Sequence, residues 1–347
     1  MKQAYFSDKK VVVTGACGTV GSKLVEHLVS DYDVGSLIGL DNNESELFFI
    51  DQQYAEHPEV HFFLADARDT AKLTEKFRGV DIVFHAAAFK HVILCERSPF
   101  EAVQTNILGV QNVIEAAQAA DVNTVIFTSS DKAVNPTNVM GTSKLMGERL
   151  ITAANSNGHA GGPVFASTRF GNVLGSRGSV IPVFRDQVRK GGPITLTDRD
   201  MTRFIMSIDE ATRLVIDSAI LAHGGEVFVT KMPVIRIEDL AEVMIRELAP
   251  RYGLDADEIE IKVIGSKPGE KLYEELMSAE EMRRTVELQS YFSVLPAFTA
   301  LYQDIEYEYP DVVSREVRNP YNSSNEPVLS QEAIRDFLLS NGLMDDD

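Results

Sequence analysis

The stretch Thr128-Ser129-Ser130-Asp131-Lys132 sets hydroxyls, a carboxyl and an amine side by side at the end of a β-branched run. Two opposite charges at a strand end shift each other's pKa. Asp131 could donate a proton to a leaving hydroxyl if kept protonated, and Lys132 could act as a base if desolvated or crowded by another cation. Lys144 follows twelve residues later in a helical stretch, with Met140 one turn before it on the same face. Methionine has no proton to give or take at any useful pH. A plainer reading stands beside this one: a loop ion pair before the turn "VNPTN", and a solvated helical lysine.

A second group lies near the N-terminus. Gly15, Gly18 and Gly21 fall at G-x-x-G-x-x-G spacing in "TGACGTVG", directly after a β-branched strand and into a helical pattern. Without a Cβ the turn closes tightly, and a pyrophosphate can approach the amides of Cys17, Thr19 and Val20 at the helix N-terminus. Asp41 ends the second strand 20 residues past Gly21, placed to accept hydrogen bonds from an adenosine ribose. Its charge repels a 2′-phosphate, and the following "NNESE", beginning with Asn42, supplies no arginine, so NAD is expected over NADP. Asp66 and Ala67 at the third strand end are placed for the adenine edge, although an aspartate there also serves as a helix N-cap. Ala86 and Ala87 in "HAAAFKH" add small residues at the fourth strand end. A short-chain nicotinamide enzyme would carry a tyrosine at the position of Met140, four residues before Lys144. Lys144 would then reach the nicotinamide ribose, with Met140 pressing on the sugar.

The elements that position these groups alternate. "VGSLIGLD" (34–41), "VHFFLAD" (60–66), "VDIVFHAAA" (80–88), "VNTVIFTSS" (122–130) and "VFASTRFGNVLG" (164–175) are expected as buried strands. Helical patterns separate them, notably "PFEAVQTNILGVQNVIEAAQAA" (99–120). This is an α/β chain with a Rossmann-type doubly wound parallel sheet, and ligands gather beyond the carboxyl ends of its strands. Residues 1–170 are expected to form the nucleotide-binding domain, with core elements interleaved up to about 235. Residues 171–287 form a smaller substrate-binding lobe, with one strand returning to the main sheet. The segment 288–347 reads as an irregular extension that wraps the surface or meets a neighbouring subunit.

The whole chain narrows the possibilities. A formal net charge of −19 over 347 residues argues against a nucleic-acid partner and requires local Arg and Lys for an anionic substrate. Cys17 and Cys95 lie far apart without metal-ligand spacing, so neither a disulfide scaffold nor a metal site is expected. No apolar run reaches the length of a membrane span and "MKQAYFSDKK" lacks a signal-peptide core, which points to a cytoplasmic protein.

Five segments together, "TGACGTVGSKL", "HAAAFKHVILCERSPFEAVQTNILGVQNVI", "TSSDKAVNPTNVMGTSK", "STRFGNVLGSRGSVIPVF" and "GSKPGEKLYEELM", resemble the UDP-N-acetylglucosamine 4,6-dehydratases of polysaccharide biosynthesis. These are extended short-chain dehydrogenase/reductases, and the likeness is collinear from residue 8 to about 280. The pair Asp131-Lys132 matches the UDP-N-acetylhexosamine branch, where relatives acting on dTDP- or GDP-sugars have Asp-Glu. Methionine and tyrosine both occur at position 140 in that branch. The resemblance implies a short form without N-terminal membrane helices, tightly bound NAD that is regenerated each turnover, and a homo-oligomer, dimer or hexamer.

It also implies roles. Lys132 removes the carbon 5 proton and Asp131 protonates the departing carbon 6 hydroxyl. Asp131 or Lys132, with Ser130 holding the hydroxyl, deprotonates the 4-hydroxyl. Asn172, Arg177, Thr195, Arg199, Arg203 and Glu270 match positions that hold the UDP end, where arginine forks suit a pyrophosphate. Lys267 replaces an arginine common there, and surface ion pairs are the alternative for each charged residue. Lys90 and His91 line the same strand-end region, next to the substrate or as a satisfied loop pair. A UDP-hexose 4-epimerase or 4-reductase, and a non-catalytic NAD-binding module, are the competing readings; the first needs a tyrosine at 140, and the second usually lacks Lys144.

Overall fold

The computed structural model describes residues 2–155, 162–176, 179–265, 270–298 and 305–345. Its first half runs β1 (Lys10–Thr14), α1 (Thr19–Ser30), β2 (Ser36–Asp41), α2 (Glu44–Gln53), β3 (Val60–Leu64), α3 (Thr70–Phe77) and β4 (Ile82–His85). Then come α4 (Gly109–Ala119), β5 (Thr124–Thr128), α5 (Val139–Ala154) and β6 (Val164–Arg169). Asn43, Asp69 and Asn138 cap α2, α3 and α5 by accepting backbone N–H bonds, which explains where those helices start.

The second half contributes β7 (Asn172–Val173), α6 (Val180–Arg189), β8 (Ile194–Leu196), β9 (Thr202–Met206), α7 (Ile208–Leu221) and β10 (Val227–Thr230). It continues with β11 (Val234–Arg236), α8 (Ile237–Leu248), β12 (Ile261–Val263), β13 (Thr285–Leu288), β14 (Tyr291–Val294), β15 (Val312–Ser314) and α9 (Gln331–Ser340). The main sheet has ten strands in the order β15-β13-β14-β10-β6-β5-β4-β1-β2-β3. From β3 to β10 every pairing is parallel, which gives the doubly wound topology.

Alternation along the strands explains the two covered faces. Val11, Val13, Phe84 and Ile126 pack with Leu24 of α1 and Leu214 of α7. Val12, Val83, Val125 and Phe127 face the other way, onto Leu73 of α3, Val113 of α4 and Ile151 of α5. A separate cluster joins Ile181, Phe184, Leu240, Met244, Ile334 and Leu338 from α6, α8 and α9. Thr14 pairs in register with His85, His85 with Phe127 and Thr128 with Thr168, so these strands end at one level.

Two expectations change. The strand at 60–64 is the sheet's edge: Phe63 and Leu64 are exposed, with Lys76 Nζ 3.6 Å over the Phe63 ring. An apolar run does not distinguish an edge strand from a buried one. Beyond residue 170, four strands join the main sheet, β10 in parallel and β13, β14 and β15 antiparallel. Part of the segment from 288 is therefore regular sheet; its strands are short and broken by polar and proline-containing connections, which masked them.

Candidate active site

The glycine turn is built for a close approach. Gly15 has φ +71, and a Cβ there would lie 2.7 Å from the Ala87 nitrogen; one at Gly21 would lie 2.0 Å from the Gly15 carbonyl oxygen. Gly18 is the N-cap of α1 and makes no side-chain cap bond. The turn's amides are engaged within the protein: Gly15 and Ala16 on the Leu40 carbonyl, Gly18 on the Gly15 carbonyl, and Cys17, expected at the pyrophosphate, on Asp41. An anion would therefore meet the amides of α1's first residues, from Thr19 on. Asp41 accepts from the Cys17 and Asn43 amides at 3.0 Å each, which orients its carboxylate at the end of β2. A pocket of about 160 Å³ runs along Gly15, Gly18, Asp41, Asn42, Asp66, Ala67, Ala86 and Ala87. These residues fit a dinucleotide's adenosine and pyrophosphate.

Asp66 is not free in that pocket. It accepts from the Arg68 backbone and guanidinium, the shortest contact being 2.6 Å, and from Asn42 Nδ2 at 3.3 Å. Those bonds hold its carboxyl down at about 2. Arg68 escaped the sequence reading because it lies beyond the strand end and not in the "NNESE" stretch.

A larger cleft of about 690 Å³ continues from Gly15, Gly18, Thr19, Val20 and Gly21 past the ends of β4, β5 and β6. It brings together Ser130, Asp131, Lys132, Met140, Lys144, Lys90, His91, Asn172, Thr195, Arg203 and Glu270. Lys144 is buried, donates to the Thr128 carbonyl at 2.9 Å and stands 4.7 Å from the Phe127 ring centre. Burial pushes its ammonium down to about 8. Met140 is buried against Cys95 and Ala102, an apolar wall one turn before Lys144.

The charged pair sits on a short turn after β5. The Asp131 amide donates to the Phe170 carbonyl, and Asn138 caps the helix that follows. Gly141 lets that helix press on the turn: a Cβ there would lie 2.1 Å from the Lys132 carbonyl oxygen. Asp131 is buried, accepts from Ser130 Oγ at 2.6 Å and from Lys132 Nζ at 3.0 Å. Burial is the largest single influence and opposes the charge, but the Lys132 charge and the hydrogen bonds around the carboxyl together outweigh it and hold Asp131 below its ordinary value. Lys132 is held above its ordinary value by Asp131 and Glu274, again against burial. At rest the pair is carboxylate and ammonium, the reverse of the acid and base forms considered from sequence, because the partners face each other directly.

Glu274, like Arg68, was not singled out from the sequence. In "KLYEELM" it resembles one more acidic residue of a solvated face, yet it is buried. Its Oε1 lies 3.5 Å from Lys132 Nζ and 3.3 Å from Arg203 Nε. Burial first, then the Asp131 charge, push its carboxyl up to about 7. Arg203 is itself engaged with the Thr202, Lys271 and Leu272 carbonyls. Lys132 also donates to Asn172 Oδ1 at 3.4 Å, and Lys271 Nζ to the Val134 carbonyl at 3.0 Å. The segment from 270 to 275 therefore clasps the turn after β5.

Other expected ligand residues differ. Thr195 exchanges two hydrogen bonds with the Gln187 side chain while lining the cleft. Glu270 accepts from Thr197 at 3.5 Å. Arg199 is turned out of the cleft and paired with Glu238, because its loop position leaves it exposed beside that carboxylate. Arg177 and Lys267 lie outside the described residues. Arg169, from the strand end "RFGN", is fully buried between Glu148 and Glu281 and clamps the fold. Among the described residues no cluster of potential metal ligands occurs, and no helix is long and apolar enough to cross a membrane.

Similarity to known proteins follows the same outline. An "Uncharacterized membrane protein MJ1061" of Methanocaldococcus jannaschii is 46% identical over 336 residues, 96% of each chain. A "UDP-glucose 4-epimerase" of Rickettsia conorii is 35% identical, over 96% of each chain. A "UDP-N-acetylglucosamine 4,6-dehydratase (inverting)" of Campylobacter jejuni is 33% identical, over 94% of this chain and 96% of its own. The crystal structure of Pen from Bacillus thuringiensis superposes with a TM-score of 0.89 at 39% identity, covering 98% of this chain and 99% of the other. The family described as "Polysaccharide biosynthesis protein" matches residues 11–296, and the chain belongs to it, within the extended short-chain dehydrogenase/reductases.

Proposed function

We propose that the protein is an NAD-dependent hydro-lyase that converts UDP-N-acetylglucosamine to a UDP-2-acetamido-2,6-dideoxy-4-hexulose. The observation that carries this reading is the pair Asp131-Lys132 in the same cleft as Lys144, with the buried Glu274 against Lys132 and Met140 where a tyrosine base would stand. A 4-epimerase moves one proton and one hydride at carbon 4 and has no use for a second acid–base group. Percentage identity does not separate the two, since an epimerase and a dehydratase relative lie at 35% and 33%.

The glycine turn, Asp41 and Lys144 would hold NAD, which would supply a hydride acceptor for carbon 4 and a hydride donor for carbon 6. The resting Asp131 carboxylate takes the 4-hydroxyl proton, with Ser130 in line at 2.6 Å. The 4-ketone acidifies the carbon 5 proton, which Lys132 removes. Asp131 then protonates the carbon 6 hydroxyl, which leaves as water, and Lys132 returns a proton to carbon 5. Asn172, Thr195, Arg203 and Glu270 line the nucleotide-sugar side of the cleft, with Lys90 at its mouth. NAD over NADP, a cytoplasmic setting and a homo-oligomer belong to the same proposal. Exposed Ile93, Leu94, Phe100 and Leu108 supply apolar surface for self-association.

The test is purified protein with UDP-N-acetylglucosamine and NAD, without reductant, followed by mass spectrometry. Loss of one water supports the dehydratase. An unchanged mass with a new configuration at carbon 4 supports the epimerase instead.

A further inference from the structure

Lys132 enters the reaction as an ammonium and has to become an amine before it can take the carbon 5 proton. Its proton needs an acceptor other than Asp131, which by then carries the 4-hydroxyl proton. The structure offers one. Glu274 Oε1 is 3.5 Å from Lys132 Nζ. Its other oxygen, Oε2, is buried, and among the described residues no N–H or O–H donates to it. Lys132 Nζ reaches both carboxyls, Asp131 at 3.0 Å and Glu274 at 3.5 Å. A buried carboxylate oxygen that accepts no hydrogen bond is open to a proton.

We propose that Glu274 is a positioning residue that stores the Lys132 proton, so that Lys132 becomes the amine base for elimination. The proposal rests on the dehydratase reading above. The groups facing Glu274 are Asp131 and Lys132 on the turn after β5, and Arg203 on β9; its own segment adds Glu270, Lys271 and Glu275. With Asp131 and Glu274 as carboxylates and Lys132 as ammonium, the 4-hydroxyl proton neutralises Asp131. Lys132 then passes its proton to Glu274.

The elimination now balances. Lys132 takes the carbon 5 proton, the C5–H electron pair forms the C5=C6 bond, and the C6–O pair leaves on oxygen, which takes the Asp131 proton. When Lys132 returns a proton to carbon 5, it recovers one from Glu274, and the three groups regain their starting charges. The cycle exchanges no net proton with solvent. The raised affinity of Glu274, about 7, places its proton uptake near neutrality, as such a store needs.

Two measurements test this. First, protein labelled with 13C-glutamate and free of sugar substrate is titrated from pH 5 to 9 by infrared difference spectroscopy. A protonated-carboxyl band that titrates near neutral pH and is missing in Glu274→Gln is expected; a wild type without this band, or a variant that keeps it, overturns the assignment. Second, Glu274→Gln with UDP-N-acetylglucosamine is expected to retain oxidation at carbon 4, seen as reduced-nicotinamide absorbance. It should lose about 10²-fold or more in dehydration kcat with KM little changed. Dehydration at the wild-type kcat overturns the proposal. The labelled wild type keeps the test open if the variant does not fold. A wild-type product of unchanged mass defeats the dehydratase reading whatever Glu274 does, while a missing infrared band defeats the Glu274 assignment whatever the product.

Discussion

Lys132 Nζ and Glu274 Oε1 lie 3.5 Å apart although 142 residues separate them in the chain. That contact joins the turn after β5 to the segment following β12. It turns a two-residue ion pair into a three-residue charged cluster.

Lys132→Ala removes the group assigned to the carbon 5 proton. Dehydration should fall by about 10²- to 10⁴-fold, the range for a positioned acid–base group. NAD affinity, measured by calorimetry, should be unchanged, because the glycine turn, Asp41 and Lys144 are untouched. Full activity would refute the role.

Met140→Leu should keep dehydration within about tenfold of wild type. The side chain packs against Cys95 and Ala102, and a volume-conserving swap costs less than about 1.5 kcal/mol. A total loss of product in a folded variant would give Met140 a chemical part it lacks here.

Gly141→Ala reads the positioning of the turn. Alanine in α5 would favour the helix by up to about 1 kcal/mol on propensity alone. Its Cβ would meet the Lys132 carbonyl oxygen at 2.1 Å, so the turn has to move. A displacement of about 1 Å costs on the order of 10² in rate. The expected result is lower stability in urea with kcat down about 10²-fold; a stabilised, active variant would contradict the packing.

His85 contributes to acid sensitivity. It is fully buried, bonds Thr14 Oγ1 through Nδ1 at 2.7 Å, and is pushed down to about 3, first by burial and then by Lys144. The folded value lies below the unfolded 6.5, so the unfolded chain binds the extra proton. The contribution is complete above 6.5 and is lost as pH falls toward 3. Between pH 7 and 4.5 this one group should remove about 2–3 kcal/mol. The difference in urea stability between those pH values should be smaller by that amount in His85→Phe, and an equal drop in both proteins would contradict it.

The parts written locally were legible in the sequence. β-Branched runs with Gly15, Gly18 and Gly21 marked the tight turn between β1 and α1, and "TSSDK" marked the Asp131-Lys132 pair at the end of β5. What was hidden depends on tertiary contact. Glu274 becomes a buried carboxyl only when its segment closes on the 131–135 turn, and Arg199 is drawn off by Glu238. Asp131 and Lys132 were readable as a pair, but their resting charges follow from burial and from a partner remote in sequence.

The most direct test of the central claim is proton NMR of the product formed from UDP-N-acetylglucosamine in heavy water. The account requires a product lighter by one water's elements, with deuterium at carbon 5 where Lys132 returned a solvent-exchanged proton. A sugar altered only at carbon 4, with protium kept at carbon 5, would contradict it.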